Sequence, residues 1–205
     1  QRTAMKHIIL TLSILLLFIA CDNTKTASSD KTKSSNLKKL TLEDTQKGKL
    51  TIQQITKNNG NFKNIDPKEE EIFKNFIITS DTKNIKILFF FTTWCEPCEG
   101  IIPHLENLRQ QFNEAISIYG IPIDDFIENS DDFNQVLEVF ARENNIQFPI
   151  IVDSKRLKFL QTLNGIEGVP LLVLYDKNGS YIIHYLGAVP EEMIEFDLLE
   201  KIEKR

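Results

Sequence analysis

Ile87-Leu88-Phe89-Phe90-Phe91-Thr92-Thr93-Trp94-Cys95-Glu96-Pro97-Cys98 joins an unbroken apolar run to two thiols separated by two residues. A run that short, apolar and aromatic reads as a central strand buried on both faces. Beyond the second thiol, Ile101, Ile102, Leu105, Leu108 and Phe112 have the spacing of one helix face. The two sulfurs therefore fall at a strand-to-helix turn, with Cys95 at the helix N-terminus and Cys98 one turn deeper. Unpaired backbone N–H groups and the helix macrodipole favour an anion there, which makes a Cys95 thiolate available. Thiol–disulfide exchange needs that arrangement, with Cys95 as the attacking thiol and Cys98 as the resolving one.

The chain of 205 residues has room for one full domain plus extras. Its net charge of −5 and pI of about 5.3 give no basic surface for nucleic acid. Near the start, Lys6 precedes an apolar run from Ile8 to Ala20, broken only by Thr11 and Ser13. That is short of the roughly 20 residues a bilayer span needs and fits a secretory h-region, with Met5 as initiator. The run ends at Leu17-Phe18-Ile19-Ala20-Cys21, then polarity changes abruptly. This resembles a bacterial lipobox, so residues 1–20 read as a lipoprotein signal peptide and Cys21 as the lipidated residue. An ordinary cleaved signal or an uncleaved anchor would fit the same run, with Cys21 incidental. By enterobacterial sorting rules, Asp22 after a lipidated Cys implies retention at the inner membrane.

Residues 21–39 read as a polar tether. Asp22 to Asn36 contains no bulky apolar residue and cannot bury surface, so it is expected to be disordered. Fully extended it reaches about 50 Å at ~3.3–3.6 Å per residue, enough to hold a domain off a membrane. Setting Cys21 aside leaves only Cys95 and Cys98 of the three cysteines. An exported protein with a single close dithiol has no disulfide framework to maintain, so the pair is left to bond to itself or to a substrate. A zinc site would need more ligands, and His7, His104 and His184 form no cluster in sequence. No metal is expected.

The folded domain is expected over 40–205. Leu37 to Ile55 alternates weakly, enough for one or two short strands, and Asn58-Asn59-Gly60-Asn61 reads as a turn. Asp66 and Pro67 predict a helix over 67–78 with Ile72, Phe73, Phe76 and Ile77 on its inner face. The central strand Ile85–Phe91 follows, then a helix from Cys95 to Glu114 carrying Pro103. Ala115–Ile123 reads as a strand. Ser130 is placed as the cap of an amphipathic helix bearing Phe133, Val136, Leu137 and Phe140. A short strand Phe148–Val152 and a short helix Leu157–Leu163 come next. Leu171–Tyr175 and Tyr181–Leu186 flank Asn178-Gly179 as a hairpin, and Pro190 opens a terminal helix. The order is that of an α/β fold with a mixed sheet, parallel first and antiparallel at the end.

That order, with Trp94-Cys95-Glu96-Pro97-Cys98 after the first core strand, resembles the thioredoxin fold and its TlpA/ResA-like branch of extracytoplasmic thiol–disulfide oxidoreductases. Pro103, five residues after Cys98, and Gly168-Val169-Pro170 before the hairpin stand where that family carries them. About seventy residues separate Cys98 from Pro170, which accommodates a strand and helix inserted between the CxxC helix and the cis-proline hairpin. The resemblance implies a cis Val169–Pro170 bond, with Val169 and Pro170 as substrate contacts. It implies that Trp94, Glu96 and Pro97 complete the active-site motif. It also implies no cofactor beyond the redox-active Cys95–Cys98 disulfide. The partners it implies are protein disulfides or dithiols, apocytochrome c among them, and a membrane thiol electron donor.

Two positions depart from the family. Thioredoxins carry a buried Asp where this chain has Phe89, and the TlpA/ResA-like branch carries a Glu where it has Ile101. Either acid would move protons for Cys98, a task left here to water, Glu96 or Glu99. Those two glutamates oppose a thiolate by like charge, with no Lys, Arg or His immediately beside the cysteines. A modestly depressed thiol pKa and a reducing couple are therefore expected. A disulfide-forming oxidase with the same residues is the alternative, and a non-catalytic binding module the other.

Overall fold

The computed structural model describes residues 39–55, 69–80, 82–127, 132–163 and 166–203. Cys21, the expected signal peptide, all but the last residue of the tether, the Asn58–Asn61 turn, and Asp66, Pro67 and Ser130 lie outside the described residues.

Two sheets organise the domain. Strands β1 (Lys39–Glu43), β2 (Lys49–Gln54) and β3 (Phe76–Ile78) form an antiparallel sheet in that order. The second sheet has the order β5-β4-β6-β7, with β4 (Ile85–Phe91), β5 (Ile116–Pro122), β6 (Leu171–Tyr175) and β7 (Tyr181–Leu186). Strand β4 pairs parallel with β5 and antiparallel with β6, and the β6–β7 hairpin closes the edge. The helices are α1 (Glu69–Lys74), α2 (Glu96–Phe112), α3 (Asp124–Ile127), α4 (Phe133–Glu143), α5 (Arg156–Thr162) and α6 (Glu191–Glu203), with a 3₁₀ turn at Asn113–Ala115.

Every residue of β4 is buried, and its two faces feed two cores. Ile85, Ile87, Phe89 and Phe91 pack with α2, with Phe133, Leu137 and Phe140 of α4, and with Ile194 and Leu198 of α6. Leu88 and Phe90 face the other way, onto Leu42, Leu50 and Ile52 of the first sheet, Phe76 and Ile78 of β3, and Phe159 and Leu160 of α5. Burying one such side chain fully contributes about 1.5–3 kcal/mol, so a strand apolar on both faces anchors both layers at once. Lys86 is the exception in composition: wholly buried, it donates from Nζ to the carbonyls of Asp176 and Lys177 at 3.3 and 2.9 Å, tying β4 to the hairpin turn.

Three expectations change. Of the helix expected over 67–78, the described part is helical over Glu69–Lys74, and Phe76–Ile78 is strand instead. Phe76 and Ile78 are buried with Ile77 between them less so, a period of two, and Ile78 pairs with Ile52 of β2. The strand over Phe148–Val152 shrinks to two bridge residues, Ile150 beside Gly120 and Ile151 beside Asp44. Pro149 has no N–H to extend a ladder, yet the segment still stitches β5 to the end of β1. Gly120 is needed for that approach, because a Cβ there would sit 3.2 Å from Phe148 and Phe91 and 3.3 Å from Ile150. Finally, α4 begins after Asp132, with Val136 exposed rather than in the core.

Candidate redox site

Cys95 is the N-cap of α2: its Sγ accepts the Cys98 N–H at 3.2 Å, and its carbonyl accepts from Cys98 at 2.9 Å and Glu99 at 3.1 Å. Pro97 lies in the first turn, where its missing N–H costs nothing. The two cysteines are joined as a disulfide, with Cα atoms 5.2 Å apart. Cys95 is 6% exposed and Cys98 0%, so access falls off inward along the helix. Both belong to the α2-side core with Phe89, Phe91 and Ile101. The mouth is made by Trp94, 65% exposed, and by Glu96, Pro97 and Glu99, all exposed. Trp94 is thus a surface aromatic beside the dithiol rather than a packing residue.

The sheet brings the distant segment to the same end of the molecule. Phe90 is opposite Leu171, so Pro170 follows beside Phe91, four residues before Cys95. The Val169–Pro170 peptide bond is cis. Pro170 gives its carbonyl to the Gly187 N–H at 2.8 Å, while the N–H and C=O of Val169 take no partner among the described residues. The Val169 side chain packs against both cores, including the one that holds the cysteines. An extended chain laid beside Val169 could pair with those two backbone groups, leaving its own sulfur near Cys95.

The two positions where acids would be expected are filled by packing. Phe89 stacks on Phe91 with centroids 5.0 Å apart and meets the edge of Phe148 at 6.2 Å, and Ile101 is buried. A carboxylate that sequence reading passed over lies at the end of β5. Asp124 Oδ1 accepts from the Thr93 N–H at 2.8 Å and the Thr93 hydroxyl at 2.6 Å. Its signal was an acidic residue just after a parallel strand, but only the pairing of β5 with β4 reveals which loop it meets. The two remaining histidines stand apart from the sulfurs: His104 bonds Glu191 of α6 at 2.7 Å, and His184 bonds Tyr181 at 2.8 Å. Among the described residues no helix is long and apolar enough to cross a membrane.

A family profile described as thioredoxin-like matches residues 83–181, from just before β4, through the cysteine pair, to β6 and the first residue of β7. The chain is similar to TlpA/ResA-like proteins of the thioredoxin superfamily. It is 27% identical over 131 residues to the thiol-disulfide oxidoreductase ResA of Bacillus anthracis, covering 59% of this chain and 71% of that one. Over a shorter stretch of 70 residues it is 33% identical to the sporulation thiol-disulfide oxidoreductase A of Bacillus subtilis, covering 34% and 40% of the two chains. Among solved structures it is similar to StoA from Bacillus subtilis, with a TM-score of 0.53 at 17% identity over 78% of this chain and 95% of that one. A putative thiol:disulfide interchange protein DsbE from Chlorobium tepidum superposes with a TM-score of 0.54, again at 17% identity, over 80% and 93%. Those two likenesses establish the thioredoxin fold. Within that fold, this chain carries the Trp94–Cys98 turn and a cis Val169–Pro170 bond, with Phe89 and Ile101 buried in the core.

Proposed function

We propose that this thiol–disulfide oxidoreductase works as a reductase of protein disulfides on the extracytoplasmic face of a membrane, held there by a lipid on Cys21. The observation that carries the reading is the cysteine pair itself, capping α2 with an exposed Trp94 and two exposed glutamates around it and no basic side chain next to it in sequence. In the reducing direction the Cys95 thiolate attacks one sulfur of a substrate disulfide. A Cys95–substrate bond forms, the substrate disulfide breaks, and the first substrate sulfur leaves as a thiolate and takes a proton. Cys98 then loses its proton and attacks Cys95 Sγ, expelling the second substrate thiolate and leaving the Cys95–Cys98 disulfide. Two electrons pass from protein to substrate. A membrane thiol donor returns them, and the chemistry calls for no cofactor beyond the pair.

The helix N-terminus stabilises the Cys95 thiolate and so pulls the couple toward oxidising power, while Glu96 and Glu99 oppose it. We assign the balance to reduction. Val169 and Pro170 are the substrate-docking edge, and apocytochrome c belongs to the substrate class. A Cys98→Ala variant expressed in its own envelope should accumulate a Cys95-linked mixed disulfide that mass spectrometry identifies. Absence of any trapped partner under every growth condition would count against exchange. A midpoint potential near the −270 mV typical of thioredoxin, measured against glutathione or dithiothreitol, supports reduction, and one near about −120 mV would hand the role to an oxidase.

A further inference from the structure

Among the described residues, two buried side-chain polar atoms have no hydrogen-bond partner: Thr92 Oγ1 and Asp124 Oδ2. Buried polar atoms are nearly always satisfied, and an unsatisfied one costs about 1–3 kcal/mol. Thr92 follows the carboxyl end of β4, in the turn that leads to Cys95, and Asp124 stands just past the carboxyl end of β5. Thr92 also accepts the Cys95 N–H on its carbonyl, at 3.4 Å. The register places Pro122 beside Phe91, so the chain after β5 runs alongside Thr92 and Thr93. Odd-numbered residues of β4 and even-numbered residues of β5 face the core that holds the cysteines, as Phe91 and Ile118 show. Thr93 and Asp124 carry the same parities, and their two hydrogen bonds confirm that they meet.

We propose that Asp124 is a positioning residue of the redox centre, anchoring the Thr93 peptide and hydroxyl with one carboxylate oxygen while no protein donor among the described residues meets the other, so that its charge biases the couple toward the disulfide. Asp125, the next residue, is spoken for by Arg156, which also donates to the carbonyls of Pro122, Val152 and Asp153. Among the described residues that buried cation makes its ion pair with Asp125 and not with Asp124. A negative charge held beside the Cys95 turn disfavours the thiolate, hence the reduced form, and makes the protein the better electron donor. This bias adds to that of Glu96 and Glu99, which are exposed and screened by solvent. The inference rests on the exchange activity proposed above but not on its direction.

Asp124→Asn keeps an oxygen acceptor for Thr93 and removes the charge. The equilibrium constant for reducing the pair with glutathione should rise about tenfold, a potential higher by roughly 30 mV. Thr93→Val removes the hydroxyl donor, leaves the carboxylate less compensated, and should shift the constant the opposite way. A purely structural clamp would lower thermal stability in both variants without that divergence. The proposal is overturned if Asp124→Asn stays within twofold of the wild type, or if both variants shift in one direction. Should Asp124→Asn fail to fold, Thr93→Val decides alone, and an unchanged constant sinks the idea. The wild-type potential tests the reductase reading separately, since the variants are read only as differences from it.

Discussion

Restoring the thioredoxin-type acid by Phe89→Asp should unfold much of the protein rather than improve its chemistry. Phe89 is wholly buried, stacked 5.0 Å from Phe91 and edge-on to Phe148 at 6.2 Å. Removing a core phenylalanine costs about 3–5 kcal/mol, lost transfer energy and residual cavity together. The incoming carboxyl would be protonated, since an unpaired charge there is too expensive, and even the neutral group lacks partners at a further ~1–3 kcal/mol. The sum, on the order of 4–8 kcal/mol, rivals the ~5–15 kcal/mol that holds a typical domain together. Phe89→Leu, which keeps the site apolar, should cost only about 1–2 kcal/mol by comparison. Urea unfolding followed by circular dichroism, with the cysteines kept oxidised, measures both. At an m-value of about 2 kcal/mol/M, the Asp variant should lose at least ~2 M in midpoint and the Leu variant less than ~1 M. An Asp variant with a midpoint within ~1 M of the wild type would mean that water or a polar partner reaches the position, and the account of why this chain lacks the acid would fail.

Two further outcomes test the scaffold around the site. Arg156→Met should cost about 3–5 kcal/mol, because Asp125 and three carbonyls lose a buried guanidinium that also lies over the Phe133 ring at 4.9 Å; adding Asp125→Asn should recover part of the loss in a double-mutant cycle of denaturation midpoints. Asp153 is affected first by partial burial, which raises its pKa, but the Lys155 N–H, the Lys155 ammonium and the Glu43 N–H together outweigh that and hold the carboxyl below its ordinary value. A depressed carboxyl stabilises the fold above its unfolded-state pKa, and the contribution fades as pH falls through the folded-state one. The stability gap between wild type and Asp153→Asn, read from thermal melts, should therefore be present at pH 7 and shrink as pH falls below the ordinary carboxylate range.

The central strand, the cysteine helix and the hairpin were legible because each carries a local signal strong enough to survive its context. Ile85–Phe91 can only be a strand buried twice over, and Asn178-Gly179 between apolar runs is turn chemistry. Phe76–Ile78 reads as helix in sequence because its apolar residues continue the spacing of the preceding helix, and only the partner β2 decides for strand. The bridge at Ile150 and Ile151 is likewise a tertiary fact. Within the site, Cys95, Cys98, Trp94 and Pro170 announce themselves by motif. Asp124 does not, since an Asp after a strand is ordinarily a helix start or a loop residue. Its partner Thr93 lies 31 residues earlier, reached through a parallel register that no local pattern encodes.

That register explains why the redox site forms where it does. Parallel pairing of β4 and β5 brings their carboxyl ends together, and β6, antiparallel to β4, begins at the same edge. The Cys95 turn, Asp124 and Val169 are thus three exits from one sheet margin, although they are far apart in the chain. The segment between β5 and β6 matters for the same reason. It supplies Phe148, which packs against Phe89, and the 152–156 segment, whose Arg156 locks Asp125 and the Pro122 carbonyl. Lining the interior with Phe148 leaves an acid at position 89 facing apolar rings. Pinning the end of β5 with Arg156 fixes Asp124 against Thr93. This one segment therefore accounts both for the apolar floor under the cysteines and for a carboxylate held at their rim. Loosening the Arg156–Asp125 lock should then move the potential of the pair as well as the stability of the fold, a coupling that an isolated CxxC helix would not show.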